Sequence, residues 1–83
     1  MINFKNDSLS AEEAFWTMYY FLEEHYTLSD GTFNVSDILS ASEPVTNNDG
    51  KKMPADSGMI SFWNKAIEKF RQEGLPPTKK LNR

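Results

Sequence analysis

The chain has 83 residues, one histidine and no cysteine. Disulfides, thiolate metal sites and thiol nucleophiles are therefore excluded, and a cluster of histidine ligands cannot form. A folded monomer of this mass, 9.5 kDa, exposes about 5,000 Å² against about 13,800 Å² for the extended chain, which allows one small core. No apolar run approaches the ~20 residues of a membrane span, and the first ten residues do not resemble a secretory signal. We expect a cytoplasmic protein without a membrane partner.

The net charge of −3 hides a division between the two halves of the chain. Residues 51–83 carry eight bases and three acids, whereas the stretch from Asn6 to Gly50 has nine acids and no base. The nine acids are Asp7, Glu12, Glu13, Glu23, Glu24, Asp30, Asp37, Glu43 and Asp49. Such a block repels nucleic acid and attracts a basic protein. The alternative is that the two halves attract each other across the fold.

The first predicted helix runs from about Ala11 to Tyr26. Ser10 and Glu13 have the spacing of a capping box, and Asp30-Gly31 indicates a turn after the helix. At 100° per residue, one side is broadly apolar and is expected in the core: Ala14, Phe15, Met18, Tyr19, Phe21, Leu22, His25 and Tyr26. The other side, with Glu12, Glu13, Thr17, Glu23 and Glu24, is expected to face solvent.

A second, short helix is predicted at about 35–40, capped by Asn34 or Ser36 and ended by Glu43-Pro44. The long loop 44–54 has a turn signal at 47–50, and Val45-Thr46 with Lys52-Met53 form a possible small hairpin. The third helix is predicted from Asp56, its expected N-cap, to Gly74. Its apolar stripe comprises Met59, Phe62, Trp63, Ala66, Ile67 and Phe70.

These elements predict an all-α fold, a small helical bundle of two longer amphipathic helices plus one short helix, with the possible minor hairpin in the 44–54 loop. A single helical domain is expected over residues 1–77. Pro76-Pro77 prevents continuation of the third helix, so residues 78–83 are expected to form a flexible basic tail.

The sequence offers little for catalysis. His25 is the only imidazole and lies at the edge of the apolar side of the first helix, where a structural role is expected. No phosphate loop, nucleophile elbow or zinc motif is present, and the acidic loops do not match a calcium loop. We expect no enzyme activity, no metal and no cofactor. The late basic residues are interpreted as a solvated face and tail, without direct nucleic-acid binding.

Aromatic residues give the most specific functional signal. Trp16 and Tyr20 fall on the acidic face of the first helix, one turn apart, and such rings are typical anchors of interfaces. Surrounding carboxylates would steer a basic partner toward them. The predicted partner-binding residues are Glu12, Glu13, Trp16, Tyr20, Glu23, Glu24 and Asp30, and a second candidate surface comprises Asp37, Glu43 and Asp49. The alternative is that the 44–54 loop or the tail covers Trp16 and Tyr20.

Several short runs in the chain resemble small bacterial immunity proteins of polymorphic toxins, including contact-dependent growth inhibition systems. The resemblance spans about residues 11–70. It is carried by Ala14-Phe15-x-x-Met18-x-x-Phe21-Leu22, by Asp37-Ile38-Leu39-Ser40, by Pro54-Ala55-Asp56 and by Trp63. These are mostly core and capping positions, so no toxin-contact residue is implied.

The resemblance implies a non-catalytic protein that binds and neutralises a cognate toxin domain in the cytoplasm. A basic nuclease-type toxin is expected, because the long acidic stretch would complement it. The alternative is a self-associating helical structural or regulatory module, in which the surplus aromatics bury against a second copy. When free, the chain is expected to be a monomer or a weak homodimer.

Overall fold

The computed structural model describes residues 3–32 and 34–78. Three helices and two strands follow in chain order: α1 (Ala11–Leu28), α2 (Val35–Ser42), β1 (Pro44–Thr46), β2 (Lys52–Pro54) and α3 (Gly58–Glu73). The mainly helical fold is confirmed. An all-α class is incomplete, because β1 and β2 form a two-stranded antiparallel sheet. Residues 79–83 of the predicted tail lie outside the described residues.

Helix α1 begins at the predicted capping box. The Glu13 amide donates to the Ser10 hydroxyl at 3.0 Å, and the Ser10 amide donates to the Glu13 carboxylate at 2.8 Å. The helix ends at Leu28, two residues later than expected. Asp30 and Gly31 then adopt φ of 57° and 79°, a left-handed pair that reverses the chain.

Helix α2 and the hairpin also follow local signals. The Asn34 side chain caps α2 by accepting from the Ser36 amide at 2.9 Å. In the hairpin, Val45 pairs with Met53 and Thr46 pairs with Lys52, which confirms the suggested pairing. Two residues of the turn explain its shape. The Asn47 side chain accepts from the Lys51 amide at 3.1 Å, and Gly50 adopts a φ of 85°, a conformation that favours glycine.

Helix α3 provides most of the core. Met59, Ile60, Ala66 and Ile67 are buried, and the stripe residues Phe62, Trp63 and Phe70 are half-buried. The prediction of Asp56 as N-cap is wrong by one residue, because Ser57 occupies that position without a side-chain cap bond. Asp56 instead accepts from the Gly58 amide at 2.9 Å, so it still serves the helix start.

Helices α1 and α3 pack side by side in antiparallel order. Phe21 contacts Trp63 with ring centroids 5.7 Å apart, whereas nearer the start of α1, Glu13 meets Arg71 at 2.7 Å. The turn and the short α2 connect the far end of α1 to the hairpin. The Asp56 amide donates to the carbonyl of Ala41 at 2.8 Å, which ties the end of α2 to the start of α3.

An N-terminal arm, residues 3–9, lies along α3. The Asn64 side chain donates to the carbonyl of Asn3 at 2.8 Å and accepts from the Lys5 amide at 2.9 Å. One turn later, Glu68 pairs with the Lys5 ammonium at 3.4 Å. Arg71 then donates to the carboxylate of Asp7 at 3.0 Å. Polar side chains on one face of α3 therefore hold the arm by its backbone and its charges.

Candidate protein-binding surface

Helix α1 packs on α3 in part through the side that was expected to face solvent, next to the expected core residues Phe21 and His25. Thr17 is fully buried and Tyr20 is 4% exposed. The Tyr20 hydroxyl donates to the carbonyl of Gly74 at 2.8 Å, and the Lys69 ammonium lies 5.2 Å from the Tyr20 ring centroid. Burial raises the pKa of the Tyr20 hydroxyl. The prediction of Tyr20 as an exposed anchor is therefore wrong.

The acidic residues of that side are partly paired within the fold. Glu13 meets Arg71 at 2.7 Å, and Glu23 meets Lys69 at 3.4 Å. The Ser10 amide and the Arg71 guanidinium hold the pKa of Glu13 below its ordinary value. The alternative, that the two charged halves attract each other, is confirmed at these pairs, and Glu13 and Glu23 are less available to a partner than predicted.

Trp16 and Glu24 are half-buried, so neither stands out from the surface as predicted. The Trp16 indole N–H is buried and has no hydrogen-bond partner in the described part of the chain. Glu24 borders a shallow cavity that Lys65 and Lys69 also line. Of the seven residues predicted to bind a partner, only Glu12 and Asp30 are exposed.

Two physical features explain the orientation of α1. The bases Lys69 and Arg71 on α3 attract the acidic side of α1, although each exposed ion pair contributes little by itself. Thr17 is small, and a small buried residue lets two helices approach closely. Because α1 is apolar around most of its circumference, burial alone discriminates weakly between its sides. Contacts with α3, and not the apolar pattern of α1 alone, therefore select the side of α1 that packs.

The outer face of α1, as we name Phe15, Met18, Tyr19, Leu22 and Tyr26, lies on the side of the helix opposite the buried Thr17 and Tyr20; four of its residues are exposed and Leu22 is half-buried. Phe15 is 56% exposed, Tyr19 is 44% exposed and Tyr26 is 55% exposed. With about 200 Å² per aromatic side chain, the three rings alone expose about 300 Å² of the face. Such an area is typical of the largest apolar patch on a monomer, which often has a function.

The face expected to form the core is therefore only partly in the core. Phe21 and His25 contact Trp63 and Phe62 of α3 as expected, whereas Phe15, Met18, Tyr19 and Tyr26 are exposed. The residues of the outer face sit at i, i+3, i+4, i+7 and i+11, which on a helix form one continuous stripe. From Phe15 to Tyr26 the stripe is about 16 Å long at 1.5 Å per residue. One clue in the sequence could have revealed it: α3 has a single apolar stripe, and one stripe cannot cover two sides of α1.

One exposed carboxylate lies near each end of the outer face. Glu12 lies one turn before Phe15, and Asp30 follows the end of the helix. Neither makes an ion pair within residues 3–32 and 34–78. The bases that pack on α1, Lys69 and Arg71, are both engaged with carboxylates. The two ends of the outer face therefore carry acidic charge that no ion pair in the described residues neutralises.

The second candidate surface is spread over three elements. Asp37 is on α2, Glu43 is the C-cap of α2, and Asp49 lies in the hairpin turn; all three are exposed. The Asp49 carboxylate accepts from the Lys51 amide at 3.0 Å. Val35 and Leu39 on α2 are 58% and 63% exposed. This region has charge and apolar residues, but a shorter apolar stripe than α1.

His25 is held between aromatic rings. It stacks on Phe62 with centroids 4.1 Å apart and meets Phe21 edge-on at 4.7 Å. Burial lowers the pKa of His25, and the nearby Glu24 opposes this effect in part. The His25 Nε2 atom is buried without a hydrogen-bond partner among the described residues. This environment suits a structural ring rather than a group that exchanges protons with a substrate.

The cavities are open and of modest size. An apolar cavity of about 410 Å³ lies between the hairpin and the helices, where Phe4, Phe21, Met53, Met59 and Trp63 line it. Within residues 3–32 and 34–78, no three side chains of the metal-binding types lie close enough together to hold a metal ion. In the same residues, no helix combines the length and apolar character needed to cross a membrane.

No protein-family model, curated protein or solved structure matches the chain.

Proposed function

We propose that the chain is a non-catalytic immunity protein that binds a basic toxin domain through the outer face of α1. The outward apolar face is the observation that carries the proposal. About 300 Å² of aromatic surface is exposed there, which is about two thirds of the apolar area that one partner contributes to a standard interface, at about 57% of about 800 Å².

Charge complementarity supports a basic partner. The acidic stretch 6–50 includes all of α1 and has no base, and the edge residues Glu12 and Asp30 are not paired within the described fold. These carboxylates would speed the approach of a basic domain and disfavour acidic partners. The rings of Phe15 and Tyr19 would then fill pockets on the partner and slow its dissociation.

The resemblance to small bacterial immunity proteins supplies the class of partner. A nuclease toxin is commonly basic because its substrate is anionic, and an acidic inhibitor competes for the same surface. In this proposal, inhibition takes place in the cytoplasm of the toxin-producing cell. The anchors are Phe15, Met18 and Tyr19, which replace the buried Tyr20 and the half-buried Trp16 in that role.

The test requires the sequences of the genes that adjoin the gene of this chain. We expect one of them to encode a secreted protein with a basic C-terminal domain, and that domain is the ligand for the measurements. We expect binding by surface plasmon resonance and protection of cells that express this domain. Phe15→Ala and Tyr19→Ala should each weaken binding about 30-fold, mainly through faster dissociation. Leu39→Ala, a similarly exposed position on α2, is the matched control and should bind as the parent does.

A charge variant provides a second, independent measurement. Glu12→Gln combined with Asp30→Asn should slow association at low ionic strength and have little effect at high ionic strength. The proposal fails if the toxin domain does not bind, or if both aromatic variants bind as tightly as the parent. Weakening by Leu39→Ala alone would move the site to the surface around α2 and the hairpin.

A further inference from the structure

We propose that the free chain covers the outer face of α1 with a second copy of itself, α1 against α1, and that this dimer must dissociate before the toxin binds. The inference concerns regulation of the face that the proposed function assigns to the toxin, and its biological meaning rests on that function. The dimer itself depends only on the geometry and charge of α1.

The area of the outer face fits a weak dimer. Phe15, Tyr19 and Tyr26 are 56%, 44% and 55% exposed, so the three rings of each copy offer about 300 Å². Two copies would bury about 600 Å² of ring surface between them, to which Met18 adds. Specific interfaces begin at about 1,200 Å² in total, so a contact through this face alone has modest affinity.

The spacing of the face fits another helix. Positions i, i+3, i+4, i+7 and i+11 form the apolar stripe by which amphipathic helices pack on each other. Leu22 lies near the middle of the stripe, so a two-fold axis beside it would place the same residues of both copies in contact. Met18 and Leu22 would occupy the centre, with the rings of Phe15 and Tyr26 toward the ends. A stripe on a single convex helix has no groove for an extended peptide.

Charge makes this dimer weak and gives it a distinctive salt dependence. Each copy carries a net charge of −3, and the stretch that includes α1 has acids and no base. Two copies therefore repel each other at low ionic strength, and added salt should strengthen the dimer. A basic toxin domain attracts the same face, and added salt should weaken that complex. Added salt should therefore raise the affinity of the outer face for a second copy and lower its affinity for the toxin domain.

The consequence is competition. A copy within the dimer has no exposed face for the toxin, so the apparent affinity for toxin falls as the concentration of the chain rises. At low salt the repulsion favours the monomer, which is the state that binds toxin. The dimer would protect the aromatic face from nonspecific contacts when no toxin is present.

Sedimentation equilibrium of the full chain tests the dimer directly. We expect a mass near twice 9.5 kDa at concentrations of about 100 µM and a monomer near 1 µM, as for a dimer of micromolar affinity. Raising NaCl from about 0.05 to 0.5 M should lower the dimer dissociation constant several-fold. A monomer at every concentration, or a dimer that weakens with salt, would overturn the inference.

Matched variants locate the contact. Phe15→Glu should abolish the dimer, whereas Leu39→Glu adds the same charge at an exposed position of α2 and should have little effect. Circular dichroism spectra and melting curves should show that both variants keep the fold, because both side chains are exposed. Loss of the dimer in Leu39→Glu, with the dimer intact in Phe15→Glu, would place self-association on α2 and overturn the inference.

The toxin measurement separates this inference from the proposed function. A chain that stays monomeric and binds the toxin domain through Phe15 would refute the dimer and leave the function standing. A dimer that depends on Phe15 and never exchanges for the toxin domain would support the dimer and refute the function. If both hold, the dimer mass should disappear as the toxin domain is titrated in.

Discussion

Adjacent tyrosines on α1 provide a direct test of the orientation of this helix. Tyr20 is 4% exposed and Tyr19 is 44% exposed, so Tyr20 buries about 80 Å² more for a side chain of about 200 Å². At about 25 cal/mol per Å² this difference is worth about 2 kcal/mol. The hydrogen bond from the Tyr20 hydroxyl to Gly74 adds about 1 kcal/mol. Tyr20→Ala should therefore destabilise the chain about 3 kcal/mol more than Tyr19→Ala.

That difference is large for so small a domain. At about 0.05–0.15 kcal/mol per residue, the free energy of unfolding should be about 4–12 kcal/mol. Urea unfolding followed by far-UV circular dichroism measures both variants, and Tyr20→Phe isolates the hydroxyl, with an expected loss of about 1 kcal/mol. If Tyr19→Ala cost as much as Tyr20→Ala, the side with Phe15 and Tyr19 would face the core, and the proposed binding surface would not exist.

Two further predictions concern charge and pH. Arg71→Gln removes the contacts to Asp7 and Glu13 and should lower the Tm by a few degrees, with a smaller decrease at high salt. An equal decrease at all salt concentrations would mean that packing of the Arg71 methylene groups, and not the ion pairs, is responsible. Because burial lowers the pKa of His25, protonation favours the unfolded chain. Stability should therefore be full above the ordinary value of 6.5 and fall as the pH drops through the lowered folded-state pKa. His25→Gln should remove this loss in urea titrations between about pH 7.5 and 5, and an unchanged pH dependence would assign it to another group.

Local signals in the sequence predicted the elements of the fold well. The capping box of Ser10, the cap at Asn34, the end of α2 before Pro44 and the pairing of Val45 with Met53 are all present. Each of these features depends on residues within about ten positions of one another. Their local preferences are the same whatever the distant parts of the chain contact. The start of α3 differs by one residue, because Asp56 serves the helix from just outside the cap position.

The orientation of α1 could not be predicted in the same way. The contacts that determine it join residues far apart in sequence, such as Tyr20 with Gly74 and Glu23 with Lys69. An apolar count around the helix favoured the side with more aromatic residues, but that count ignores the bases on α3. The candidate site consequently moved from Trp16 and Tyr20 to the opposite face. Of the predicted acidic residues, Glu12 and Asp30 remain exposed.

The N-terminal arm has a kinetic consequence. Asn64 and Arg71 hold residues about 60 positions earlier in the chain, as in the contacts of Lys5 with Asn64 and Asp7 with Arg71. Such contacts close a loop that contains most of the chain. The conformational entropy of that loop must be lost before the contacts form. The hairpin and the individual helices can form locally, whereas the arm can dock only after the end of α3 is in place. A chain still being synthesised therefore exposes both sides of α1 until its last quarter is available.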